Sequence, residues 1–291
     1  MRWRGRRKSD NIEDRRGRRG PIGRRAKGVG GGAAILVVLA GLFFGEDVSN
    51  ILQLVLNNTG SNTQQTATQR SSQGTANGGS AAQDEASQFV AVILAETEDT
   101  WHKVFQNMGQ RYQPPKLVLY SDMVQSACGT SSSASGPFYC PGDYQVYIDL
   151  SFLQDLRRMG APGDFAFAYV IAHEVGHHIQ NLVGIAANVR KMQARSSKAQ
   201  ANALSVRMEL QADCLAGIWI NHTERRNAIL EEGDIEEGLQ AAAAVGDDRI
   251  FKQAGRPVRR EAFTHGSSAE RVEWFKKGMR SGDIQSCDTF G

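Results

Sequence analysis

The sequence predicts an α+β fold: a mostly helical domain with a small β-sheet, preceded by one transmembrane helix. Three features point to it. Apolar residues recur at helical spacing over most of the chain beyond residue 84. Two short runs rich in Val, Leu, Ile and Tyr follow turn signals, and 18 residues without a charge stand near the amino end.

Residues 1–27 are rich in Arg and Gly and lack apolar periodicity, which predicts a tail that does not fold alone. They hold twelve Lys/Arg and three Asp/Glu, a net of +9, while the rest of the chain is at −6. The sequence pI of about 8.7 therefore describes a tail and not a domain. No aromatic platform beyond Trp3 accompanies the basic run, so nucleic acid is not an expected partner. Residues 28–45 are the uncharged stretch, just long enough for a membrane span, which needs ~17–25 residues. No small-x-small cleavage site follows it, so it reads as a single-pass anchor rather than a removed signal. The basic flank orients the amino end to the cytoplasm. That places the remaining chain on the outer, periplasmic side of a bacterial inner membrane. Residues 46–83, almost all polar or small from Asn57 onward, read as a flexible tether.

The folded domain is expected over residues 84–291. Phe89, Val92, Ile93, Trp101, Val104 and Phe105 give an amphipathic helix ending near Gly109. Lys116–Tyr120, after a Pro-Pro pair, and residues 145–150, after Pro-Gly-Asp, read as strands. The second of these is a candidate sheet edge for an extended peptide. Helical patterns fill the remainder.

Residues 165–182 are apolar nearly all round, with Asp164 placed to cap the helix and Gly184 to end it. Within this helix stands His173-Glu174-Val175-Gly176-His177. Residues four apart share a helix face, so both imidazoles can reach one ion, and neutral imidazole suits Zn²⁺. Glu174, rotated off that face, is placed as general base toward a water that zinc acidifies. A catalytic zinc takes a third protein ligand. Glu209 is the best candidate, in apolar surroundings, with Asp213, His222 and His265 weaker. Asp213, four residues after Glu209, is positioned to accept a hydrogen bond from a ligand histidine. His222 reads as solvated and His178 as an ordinary neighbour.

HEVGHHIQ followed by ELQAD resembles the gluzincins, in which HExxH and a downstream ExxxD build one zinc site. The wider pattern is MRWRGRRKSDNIEDRRG, one apolar stretch, HEVGHHIQN, ELQADCLAG and THGSSAERVEWFKKG. It is similar to the bacterial neutral zinc metallopeptidase family of the YpfJ type, over nearly the whole chain except the linker. The resemblance implies a zincin-like domain holding one Zn²⁺ through His173, His177 and Glu209, with Glu174 as base and Asp213 behind the ligands. The interval from His177 to Glu209 exceeds that of thermolysin, so residues 186–203 form an inserted loop or helix. Late His, Tyr or Arg residues stabilise the oxyanion in gluzincins. His265 is the candidate here, although THGSSAER also reads as a loop and helix cap at Ser267 or Ser268 with Glu270; Tyr144 and Tyr147 are weaker.

Cys128 and Cys140 flank a Gly/Ser-rich loop and are expected to pair in an oxidising compartment. Cys214 and Cys287 are either a second pair or, for Cys214, a small core residue. The implied activity is hydrolysis of envelope proteins or peptides by a membrane-anchored metalloendopeptidase. The alternative is a zinc-containing envelope scaffold or chaperone without catalysis, which would have no use for Glu174. Nothing in the sequence sets an oligomeric state.

Overall fold

The computed structural model describes residues 1–17 and 77–291. The expected span, residues 28–45, and most of the tether lie outside the described residues. Among the described residues no helix is long and apolar enough to cross a membrane.

Among the described residues the elements are, in order, β1 (Ile12–Asp14), α1 (Asn77–Asn107), β2 (Lys116–Tyr120), β3 (Met123–Ser126), β4 (Gly129–Ser132), β5 (Phe138–Cys140), β6 (Gln145–Asp149), α2 (Phe152–Arg158), α3 (Asp164–Leu182), α4 (Ile185–Gln193), α5 (Lys198–Asn227), α6 (Asp234–Ala244), α7 (Asp247–Gln253) and α8 (Ser268–Ser281). The mostly helical α+β architecture is the one the sequence predicts.

The main sheet has strand order β1-β2-β6-β5, with β1, β2 and β6 parallel and β5 antiparallel to β6. Side chains alternate across it. Leu117, Leu119, Val146 and Ile148 join the large core with α1 and α3. Val118, Tyr120, Phe138 and Tyr147 form a smaller cluster with Val124 of the β3–β4 hairpin. Because β6 lies between β2 and β5, it is interior and cannot be the open edge expected for a peptide. The edge strands of this sheet are β1 and β5, and the Tyr139 hydroxyl of β5 receives a hydrogen bond from Asn181 of α3.

Two other expectations need correction. Residues 1–17 are not a tail beside the domain but part of it. β1 pairs with β2, and Met1 and Trp3 are buried in the main core. Helix α1 also begins at Asn77, inside the stretch read as tether.

α3 is buried on nearly every side, as its composition predicts. Its start differs from expectation. Gly163, not Asp164, precedes the first turn, and the carboxylate of Glu237 in α6 accepts from the Phe165 N–H at 3.1 Å. Asp164 instead faces the Met1 ammonium. Gly184 (φ 82°) closes the helix end in the left-handed region. The inserted segment is α4 and the first turns of α5, whose start is fixed by a reciprocal Ser197–Gln200 cap.

Helices α5 and α8 cross with their backbones in near contact. A Cβ on Gly217 would lie 2.2 Å from the Phe275 carbonyl oxygen, and one on Gly278 would lie 1.9 Å from that of Cys214. Both disulfides are present, Cys128–Cys140 and Cys214–Cys287, with Cα separations of 5.8 and 5.6 Å.

Candidate metal centre

α3 presents His173 and His177 one turn apart, and α5 brings Glu209 against both. Nε2 of His173 lies 3.1 Å from one carboxylate oxygen of Glu209, and Nε2 of His177 lies 3.3 Å from the other. The remaining ring nitrogens are engaged. Nδ1 of His173 is 2.8 Å from Asp213 Oδ1, and Nδ1 of His177 is 2.8 Å from Gln180 Oε1. Those oxygens can only accept, so each Nδ1 carries a proton and each Nε2 faces the Glu209 carboxylate. Such contacts need a positive charge between nitrogen and carboxylate, a ring proton or a metal ion in its place. Zinc with tetrahedral bonds of ~2.0–2.1 Å sets neighbouring donors ~3.4 Å apart, close to the spacing found. The donor set fits the ion.

A family described as "Putative neutral zinc metallopeptidase" matches residues 1–290. The chain belongs to this family. It is 49% identical over 298 aligned residues to the uncharacterized protein YpfJ of Escherichia coli K12, covering 100% of this chain and 99% of that one. It is also 40% identical over 217 residues to the uncharacterized proteins Rv2575 of Mycobacterium tuberculosis and Mb2605 of Mycobacterium bovis, covering 71% of this chain and 72% of each relative. No solved structure matches it significantly.

In this member of the zinc metallopeptidase family the ligand cluster carries strong fields. Burial opposes charge on His173, yet Asp213 and Glu209 raise its pKa to about 9. Glu209, also buried, is nevertheless held well below the usual carboxylate range by His177, His265 and His173. Glu174 is buried beside them. Desolvation raises its carboxyl above the ordinary value, partly offset by His177 and His173.

Behind the ligands, Asp213 is fully buried and heavily donated to. Besides His173 it receives the Tyr169 hydroxyl and two nitrogens of Arg271, Nε at 2.8 Å and Nη2 at 2.9 Å. Burial raises the Asp213 carboxyl, but Arg271 and His173 outweigh it and keep the carboxylate ionised. Tyr169 and Arg271 were not singled out from sequence. Tyr169 sits four residues before His173, on the same helix face, which is a readable signal. Arg271 comes from α8, 58 positions after Asp213, and no local pattern marks it.

His177 is held by a chain of amides. Gln180 Nε2 donates to Gln211 Oε1 at 3.0 Å, and Gln211 Nε2 donates to the Cys287 carbonyl at 3.0 Å.

His177, Glu209 and His265 line a cleft, together with Ala186, Val189, Arg190 and Met208 among others. The inserted helix α4 thus forms part of its wall. His265 is fixed by Asp247, whose Oδ2 accepts the backbone N–H groups of Thr264, His265 and Gly266 at 2.7, 2.6 and 3.0 Å. Burial disfavours the His265 cation, but Glu209 and Asp247 overcome it and raise its pKa. The cap is also real: Ser267 and Glu270 cap α8 reciprocally. His265 therefore sits in the loop and reaches the cavity at once.

The other candidates lie elsewhere. Tyr147 stacks on Phe138 and donates to Asp143; Tyr144 is exposed. Neither lines the cavity. His222 is half-buried rather than solvated, bonding the Gly282 carbonyl beyond α8 at 2.8 Å. His178 is fully buried between the Tyr139 hydroxyl and the Gln113 carbonyl, and burial lowers its pKa to about 4.

Proposed function

We propose that this protein is a zinc-dependent endopeptidase acting on envelope proteins or peptides. The observation that carries the reading is a buried glutamate, Glu174, beside a His173–His177–Glu209 donor set, of which His177 and Glu209 line one cavity with His265. Zinc held by those three residues would supply Lewis acidity to a substrate carbonyl and to water.

The protein's own groups account for the rest. Glu174 takes a proton from the attacking water and delivers it to the departing amine, so the two products leave with the base regenerated. Its raised pKa suits that exchange, because the carboxylate is a stronger base than an exposed one. His265, protonated through Asp247 and Glu209, donates to the oxygen on which negative charge grows. Asp213, charged by Arg271, holds His173 in the tautomer that offers Nε2. The open edge of β5 offers main-chain hydrogen bonds to an extended peptide. The two disulfides support an oxidising compartment for the domain.

Glu174→Gln separates catalysis from metal binding. It should keep about one zinc per chain while hydrolysis of a peptide library falls by ~10²–10⁴-fold. Metal analysis and cleavage measured on one preparation decide it. Undiminished cleavage would remove Glu174 as base; a parent without hydrolysis on any peptide would favour the non-catalytic scaffold.

A further inference from the structure

Residues 1–16 meet the domain through an interface as specific as any inside it. Trp3 is buried, with its ring edge-on to Phe89 of α1 at 5.4 Å. The backbone is tied along its length. Arg2 N–H bonds the Ile229 carbonyl at 2.8 Å, Ser9 N–H bonds that of Ala91 at 2.9 Å, and Arg15 N–H bonds that of Leu119 at 2.8 Å, beside the β1–β2 ladder.

Charge is complementary too. The Met1 ammonium lies 2.9–3.3 Å from Glu231, Asp164 and Asp234. Arg4, Arg6 and Arg7 pair with Glu85, Glu96, Glu98 and Asp99 of α1. Glu98, itself buried, takes its side-chain hydrogen bonds from Arg7, Ser9 and Asn11 alone among the described residues. Three of the twelve basic residues that suggest a topology signal in the sequence, Arg4, Arg6 and Arg7, are thus committed to carboxylates of the domain.

We infer that residues 1–16 and the domain at 77–291 occupy the same compartment, so that the intervening chain makes no net membrane crossing. One span between them would separate β1 from β2 and Trp3 from Phe89 by a bilayer. Two spans would restore the contact, but each needs ~17–25 apolar residues, and the uncharged run at 28–45 provides 18. The inference is independent of the peptidase reading, since none of these contacts involves the metal-binding residues.

The test uses the full-length chain in spheroplasts with a membrane-impermeant maleimide. Asp10→Cys lies on the exposed side of the amino-terminal segment and Gln253→Cys on an exposed position of the domain. The two should behave alike, both labelled before lysis or both only after it. Labelling of one and protection of the other would overturn the inference. Docking itself is read from Trp3→Ala in the purified full-length protein. Losing this buried ring should lower Tm by about 10 °C. A Tm unchanged within about a degree would mean that the segment is not part of the folded unit, and would overturn the inference by removing its basis.

Discussion

Arg271 is the residue on which the metal centre rests without touching the metal. It neutralises Asp213 in a site where neither group reaches solvent, and Asp213 in turn fixes His173. Arg271→Met leaves a buried carboxylate unpaired, which costs ~3–5 kcal/mol when a buried pair is broken. Zinc affinity should fall ~10–100-fold, the usual loss when a group behind a ligand is removed. Chelator competition and urea unfolding on one sample measure both effects. Two other residues set the pH response. As the proposed base, Glu174 must be ionised, and its raised pKa should move the acid limb of the rate profile above the ordinary carboxyl value. As the proposed oxyanion donor, His265 must be protonated, and its raised pKa should move the alkaline limb above that of free imidazole. In His265→Ala the rate should fall ~10²–10³-fold, and the alkaline limb assigned to this residue should vanish. An unchanged alkaline limb would assign it elsewhere. His173, Glu174 and His177, and the Glu209–Asp213 pair, were legible from helical spacing, whereas Tyr169 and Gln180, which share that spacing, were not read from it. Arg271 was not legible, because it is one of 34 Lys/Arg and meets Asp213 only through the packing of α8 on α5.

Between helices, the glycine of the HEVGH motif has a clear cause. A Cβ on Gly176 would stand 3.0 Å from the Ala212 carbonyl oxygen and 3.1 Å from its Cα. Gly176 lies between the two ligand histidines, and Ala212 lies between Glu209 and Asp213. This near contact sets how far apart the two halves of the site stand. Gly176→Val should wedge α3 from α5, costing ~1–3 kcal/mol by overpacking and weakening zinc together with it. Gly176→Ala is the graded control, and isothermal titration with urea unfolding compares the pair. Helix α3, the two strands and the α8 cap were readable from periodicity and local cap chemistry. The N-terminus of α3 was not, because its capping carboxylate, Glu237, comes from a helix 72 positions later. The interior place of β6 was hidden for a similar reason: β5 has only three residues and carries little pattern of its own.

At the scale of the whole molecule, segments distant in sequence complete the domain. The amino-terminal segment escaped the sequence reading because its basic residues resemble a solvated tail. Only the folded position of the α1 carboxylates reveals the partners of Arg4, Arg6 and Arg7. The carboxyl end is tied down by the Cys214–Cys287 bond, which closes 73 positions of chain. Loop-closure entropy gives such a bond ~4 kcal/mol, against ~3 for the 12 positions spanned by Cys128–Cys140. Replacing Cys214 and Cys287 by Ser should therefore lower unfolding stability more than replacing Cys128 and Cys140, by urea titration of both double variants.

The amide chain behind His177 gives that bond a second consequence. It ends on the main-chain carbonyl of Cys287, the residue that the disulfide pins. Cleaving the bond frees the anchor of the chain that orients one ligand, so ligand rigidity depends on a covalent link remote from the donors. Metal exchange and thiol chemistry then become coupled quantities. A mild reductant should quicken zinc transfer to a chelator in the parent, and should change nothing further in the Cys214→Ser, Cys287→Ser protein, where exchange is already fast. Stopped-flow with a chromogenic chelator reads both. Equal rates in parent and variant before reduction would uncouple the tail from the metal.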